Sequence, residues 1–145
     1  MKDPVFNWHI DPEVGCLFTQ YFGILDRETA KKNMITARQS PDYKNHFNIL
    51  TDIRGCDFNL DTEDLKQLAK FMESNWPTNG PIRTAMLVNS DLAHGLTRMY
   101  AVYFSDEAIA PRIFHDNSPN LAKKLIAQLA LPKNYQFPDF LNLNE

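Results

Sequence analysis

Strand-like and helix-like segments alternate along the middle of this chain, and this alternation limits the fold more than any other feature of the sequence. Residues 47–53 and 85–88 are largely apolar runs of strand length, and a third short strand is predicted over residues 112–115. A segment with apolar residues at helical spacing follows each of them. Successive strand–helix units predict parallel strands joined by right-handed crossovers.

A β-hairpin is predicted ahead of these units. Alternating patterns span residues 6–10 and 17–22, on either side of the turn-forming segment 11–15. The helix that follows has Asp26 as its N-cap and ends before Pro41. The order of elements is therefore ββαβαβαβα, which predicts an α/β fold with a mixed sheet and helices packed against it.

Capping residues predict where the later helices begin. Asp61, with Asp64 three residues later, starts the second helix, and Ser118 followed by Pro119 starts the fourth. The third helix has its cap at residues 90–91. Its buried side is expected to carry four residues at helical spacing, namely Leu92, Leu96, Met99 and Tyr103.

Length and charge limit the classes of protein to consider. The 145 residues fit a single domain, with its core over about residues 5–131. The 15 Lys and Arg against 18 Asp and Glu argue against binding to nucleic acid or to an anionic membrane. The longest stretch without a charged residue, 14–25, is too short to span a bilayer. With no signal peptide pattern and with Cys16 and Cys56 expected to be reduced, we predict a cytoplasmic protein without membrane insertion.

The tail formed by residues 132–145 is rich in aromatic residues, and the sequence leaves two interpretations of it. Its apolar side chains either pack on the domain or cover the surface of a partner, which leaves a homodimer open. These side chains are Tyr135, Phe137, Phe140 and Leu141.

Polar residues lie where the predicted parallel strands end, which is where ligands bind in open α/β sheets. The guanidinium groups among them are suited to an anionic ligand or to a loop of a protein partner. The alternative is that the acidic residues cap a helix and hold a turn while the others are solvated. The candidate residues are Asp52, Arg54, Asp91, His94 and Arg98.

A group of aromatic residues predicts a second kind of site. At helical spacing, with one more residue from the last strand, they are able to line an apolar cavity of the kind that a lipid carrier needs. The alternative is that they are ordinary core residues. The group comprises Tyr100, Tyr103, Phe104 and Phe114.

Signatures of catalysis and of cofactor binding are missing from the sequence. The five glycines form neither GxGxxG nor a Walker loop, and the four histidines lack metal-ligand spacing, so we predict no cofactor and no metal. Cys56 with His94 or His115 is the one arrangement that permits thiol chemistry, but no local motif supports it. We therefore predict that the protein is not an enzyme. Gly95, inside a predicted helix, is expected to allow close helix packing.

Three segments, 48–54, 91–100 and 112–116, together with the order of elements, give the chain a family resemblance. It resembles the SpoIIAA-like bacterial proteins of the STAS superfamily over about residues 5–131. The resemblance implies a mixed sheet flanked by helices, as in anti-sigma-factor antagonists, the cytoplasmic domains of sulphate transporters and, more distantly, CRAL-TRIO lipid carriers.

The chain departs from the motifs of the anti-sigma-factor antagonists. Of their Asp-x-Ser, Asp52 matches but Arg54 replaces the serine. Their Asp-Ser-Ser-Gly corresponds to residues 61–64, where Thr62 is the one hydroxyl and Glu63 stands at the position that would be phosphorylated. Glutamate supplies charge without a switch, which leaves Thr62 as the residual candidate phosphosite.

Two functions are therefore expected from the sequence. The first is a regulatory, non-enzymatic STAS-like domain that binds a protein partner or a small anionic ligand at the carboxyl ends of the strands. The second is a carrier of a lipid or another small apolar molecule in a hydrophobic cavity, as in CRAL-TRIO proteins.

Overall fold

All five predicted strands are present in the computed structural model, which describes residues 3–78 and 80–144. The strands are β1 (Val5–Asp11), β2 (Cys16–Leu25), β3 (Asn48–Phe58), β4 (Thr84–Val88) and β5 (Arg112–His115). The α-helices of the described residues are α1 (Arg27–Arg38), α2 (Thr62–Asn75), α3 (Asp91–Val102) and α4 (Leu121–Gln128). Short 3₁₀ turns occupy Glu107–Ile109 and Asp139–Leu141. This order confirms the predicted sequence of elements.

The five strands form one sheet in the order β1-β2-β3-β4-β5. β1 and β2 are antiparallel, whereas β2 to β5 run parallel, which confirms the predicted mixed sheet. β3 is longer than predicted and continues through Gly55 to Phe58. The extension forms because β2 is also long and supplies backbone partners as far as Leu25, opposite Phe58. Strand length here depends on the neighbouring strand, which the local pattern at Gly55 does not reveal.

Successive strands in this order place α1, α2 and α3 on the same side of the sheet, as right-handed crossovers require. We call this side the helical face. Its buried residues include Leu17, Ile49 and Val88. The opposite side, the tail face, carries Phe18 and Leu50 and packs against α4 and the chain that follows it.

The aromatic tail packs on the domain, which decides between the two interpretations that the sequence left open. Phe137, Leu141 and Leu143 are buried against the tail face. The ring of Tyr135 stacks on Phe18, with the two ring centroids 5.8 Å apart. The tail is thus a structural layer of the fold.

The buried side of α3 differs from the prediction. Leu92 is 63% exposed and Met99 is 38% exposed, whereas Ala93 and Thr97 are buried. Small residues on the inner side let the helix lie close to the sheet, so the bulkier residues face outward. The expectation for Gly95 is also wrong, because a Cβ built on it would meet nothing within 4 Å.

The start of α4 lies later than predicted. Ser118 and Pro119 belong to a turn in which the Ser118 backbone N–H donates to the His115 carbonyl oxygen. The helix begins at Leu121, after Asn120 in the left-handed conformation with φ 58°. The capping role predicted for Ser118 is therefore wrong. In contrast, Asp26 caps α1, and Asp61 with Asp64 forms a capping box on α2, as predicted.

Candidate functional site

Asp52 is buried in β3, where it is 2% exposed. Its carboxylate accepts hydrogen bonds from Nε and Nη2 of Arg54, each at 3.0 Å, and from Nε2 of Gln20 at 2.9 Å. The bidentate arrangement satisfies a carboxylate that would otherwise be costly to bury.

Two of these residues, Arg54 and Gln20, also bind the tail. Nη2 of Arg54 donates to the Leu141 carbonyl oxygen at 2.7 Å, and Nε2 of Gln20 donates to the Phe140 carbonyl oxygen at 2.8 Å. We call Gln20, Asp52 and Arg54 the tail anchor. Of the five residues predicted to bind a ligand at the strand ends, Arg54 therefore binds the chain's own tail, and Asp52 is bonded to Arg54.

The other three candidates lie with α3, on the opposite side of the sheet from the tail anchor. Nδ1 of His94 is 2.8 Å from Nε2 of His115, so the two imidazoles share a hydrogen bond at the carboxyl end of β5. Asp91 and Arg98 are exposed. The structure therefore does not bring the five predicted residues together. The reason is that Asp52 and Arg54 face the tail, whereas the carboxyl end of β4 leads to a helix on the other face.

A cavity of about 90 Å³ lies between the helical face and helices α1 to α3. Tyr100 and Phe104, two of the four aromatic residues predicted to line a cavity, are part of its wall. The other two are not. Tyr103 packs with the core beside it, and Phe114 contacts the core on the tail face. Side chains alternate between the two faces of the sheet along β5, and Phe114 lies on the tail face, so the prediction that it lines the cavity is wrong.

The wall of the cavity is mainly apolar, and two of its threonine hydroxyl groups donate to backbone carbonyl oxygens. Oγ1 of Thr19 donates to the Leu50 carbonyl oxygen at 3.1 Å, and Oγ1 of Thr97 donates to the Ala93 carbonyl oxygen at 2.8 Å. Oγ1 of a third threonine, Thr84, is buried and has no partner among residues 3–78 and 80–144. A buried hydroxyl without a partner costs free energy, which a ligand is able to recover.

Arg38, at the end of α1, also lines the cavity, and it was not among the site residues predicted from the sequence. A signal was present, since Arg38 follows Ala30 and Met34 at intervals of four residues and so continues the apolar side of the helix. The charged residue was not considered for this side because arginine is usually exposed.

The thiols and the candidate phosphosite lie apart from this cavity. Burial, followed by the charges of Asp52 and Asp57, raises the pKa of Cys56 to about 12, which disfavours the thiolate that a nucleophile needs. Thr62 is exposed in the first turn of α2.

Within the described part of the chain, no group of three or more His, Cys, Asp or Glu side chains is placed to hold a metal ion. No described helix is both long enough and apolar enough to cross a bilayer.

The strand order, the three helices on one face and the mixed sheet are those of a SpoIIAA-like fold. The structure is similar to that of an uncharacterized protein of the DUF3478 family with a SpoIIAA-like fold from Shewanella loihica PV-4. The TM-score is 0.50 with 16% sequence identity, over 84% of this chain and 93% of that chain. This likeness confirms the predicted fold. No family model matches the sequence, and no curated protein does.

Proposed function

We propose that this protein is a non-enzymatic, STAS-like binding domain that holds a small apolar molecule in the cavity between the helical face and helices α1 to α3. The observation that carries the proposal is the cavity itself, a space of about 90 Å³ with a mainly apolar wall. A mainly apolar wall favours an apolar ligand, because the ligand restores contacts that the wall lacks. The two free cysteines support a cytoplasmic setting for this activity.

Of the two functions expected from the sequence, the structure supports the carrier better. The anionic-ligand site at the strand ends needs Asp52 and Arg54, but Arg54 binds the tail and Asp52 is bonded to Arg54. The cavity needs no such rearrangement.

Two substitutions on α3 test the proposal with a matched control. Leu96 lines the cavity, whereas Leu92 on the same helix is 63% exposed. We expect Leu96→Trp to fill the cavity and abolish binding of pentan-1-ol, measured by amide chemical-shift titration. Leu92→Trp should bind as the unchanged protein does. Equal binding by both variants, each shown to be folded by circular dichroism, would place the ligand elsewhere.

Retention of a natural ligand is a second measurement. Native mass spectrometry of the purified protein should show an added mass that solvent extraction removes. A protein that neither carries such a passenger nor binds added pentan-1-ol is not a carrier.

The exposed side of α3 favours a second candidate function, which is the docking of a protein partner. Leu92, Met99 and Val102 are exposed there, beside Arg98. Apolar side chains next to a charged one are typical of protein interfaces. Replacement of Leu92 and Arg98 together by alanine should weaken capture of an identified partner, and unchanged capture would count against this surface.

A further inference from the structure

Arg38 brings a guanidinium group to the cavity with most of its hydrogen-bond donors unused. Of its five N–H groups, Nη1 donates to the Met34 carbonyl oxygen at 3.3 Å and Nη2 is 3.5 Å from the sulfur of Met72. Nε is buried and has no partner within residues 3–78 and 80–144. A planar group with several free donors is suited to a planar acceptor with two oxygens.

The positive charge of Arg38 also lacks a carboxylate. The ion pairs of the described residues involve Arg27 and Arg54, and none involves Arg38. Its guanidinium carbon lies 4.7 Å from the centroid of the Trp76 ring instead. Glu73, an acidic side chain of this region, is held by the backbone N–H and the hydroxyl of Ser105.

Two tyrosine hydroxyl groups add further donors to the cavity wall. Burial raises the pKa of Tyr21 to about 12 and raises that of Tyr100 as well, while the charge of Arg38 acts in the opposite direction on both. Both hydroxyl groups therefore keep their protons near neutral pH. Both rings pack edge-on against a phenylalanine, and neither hydroxyl group has a hydrogen-bond partner among the described residues. The wall thus has four donor groups that lack partners and one positive charge; the donors are Arg38 Nε, Thr84 Oγ1 and the hydroxyl groups of Tyr21 and Tyr100.

The size of the cavity restricts the ligand. About 90 Å³ is less than the roughly 150 Å³ of an engineered cavity that accepts benzene. A short apolar body fits this space, and a group with one negative charge is less costly to desolvate there than a phosphate dianion.

We propose that the ligand of this cavity is a short-chain apolar carboxylate and that Arg38 binds its carboxylate group. This inference rests on the proposed function. The apolar chain lies against the aliphatic and aromatic wall, and the hydroxyl groups of Tyr21 and Tyr100 donate to the same carboxylate. Arg38 is therefore the residue that determines specificity for an acid over a neutral molecule.

A pair of probes of equal length tests this assignment. In a Trp8→Phe background, Trp76 is the remaining tryptophan of the chain and reports binding next to Arg38. We expect pentanoate to bind at least about tenfold more tightly than pentan-1-ol, as a charge-assisted hydrogen bond pair should produce. Arg38→Met should remove this preference while pentan-1-ol still binds. Arg27→Met, a change at the other end of α1 and outside the cavity, should keep the preference.

The outcomes separate the two proposals. Equal binding of acid and alcohol by the unchanged protein, or a preference that survives in Arg38→Met, overturns the carboxylate assignment and leaves the apolar cavity standing. If no member of the series from butanoate to octanoate binds, and no alcohol of those lengths binds either, the proposed function itself fails. Should Arg38→Met not fold, Arg38→Lys keeps the charge without the planar fork, and its preference should fall by severalfold.

Discussion

Asp52 accepts two hydrogen bonds from the side chain of Arg54 and is almost completely buried, and among the described residues Arg54 is the cation that pairs with its charge. Arg54 in turn joins β3 to the tail through the Leu141 carbonyl oxygen. At the scale of the single residue, therefore, the motif that looked like a ligand site has a structural role. A carboxylate left in this position without its guanidinium would be buried and unpaired, which is strongly unfavourable.

We predict that Arg54→Met lowers the free energy of unfolding by about 3 kcal/mol, because it removes the partner of a buried charge. The measurement is urea denaturation at neutral pH. Arg98→Met, the same substitution at an exposed site on α3, should change stability by less than about 0.5 kcal/mol. Equal effects of the two substitutions would show that the tail anchor does not stabilise the fold.

At the scale of the element, α1 determines where Arg38 lies, since the helix begins at a fixed cap and Arg38 is its last residue. The Asp26 carboxylate accepts a hydrogen bond from the Thr29 backbone N–H at 2.8 Å. That bond stabilises the charged form and so lowers the pKa of Asp26 below its ordinary value. The cap therefore links the stability of α1 to pH.

We predict that Asp26→Ala destabilises the protein by about 1 kcal/mol at pH 7, the usual effect of losing an N-cap. Because the pKa of Asp26 is lowered by folding, its contribution is present above the unfolded-state pKa and is lost as pH falls through the folded-state value. The difference between the unchanged protein and Asp26→Ala should thus shrink as pH falls below about 4. Urea unfolding at pH 7 and pH 3 measures it.

Asp26→Asn is the matched control, because asparagine caps helices without a titratable charge. The difference in the free energy of unfolding between Asp26→Asn and Asp26→Ala should not change through the ionisation of residue 26 when the pH falls from 7 to 3. A difference between the unchanged protein and Asp26→Ala that is constant from pH 7 to pH 3 would contradict the linkage.

At the scale of the whole molecule, the two faces of the sheet are covered by different kinds of structure. Three helices cover the helical face and leave a cavity, whereas α4 and the tail cover the tail face. Leu141, in the tail, is 0% exposed against that face. The tail should therefore contribute to global stability as a core element does.

We predict that Leu141→Ala lowers the free energy of unfolding by about 3 kcal/mol, as for other large-to-small changes at fully buried sites. Leu92→Ala, at a site 63% exposed, should have an effect below about 0.5 kcal/mol. Chemical denaturation gives both values. A loss at Leu141 no larger than that at Leu92 would mean that the tail is only loosely attached.

Much of the architecture was predictable because its signals are local. The hairpin, the alternation of strands and helices and the caps at Asp26 and Asp61 each depend on residues a few positions apart, and all are confirmed. The stripe on α3 was wrong because the most apolar residues were assumed to be buried, whereas Ala93 and Thr97 let the helix approach the sheet. Local hydrophobicity does not show which side of a helix fits a surface.

The sequence by itself determined the order of elements and the parallel winding of the sheet, since both follow from short-range patterns and from the handedness of crossovers. Only the tertiary structure decided which side chains meet. It turned Asp52 and Arg54 toward the tail, away from His94, because the path of the chain after β5 brings the tail onto that face. It also placed Arg38 at a cavity, because such a space arises from how three separate helices pack on one sheet.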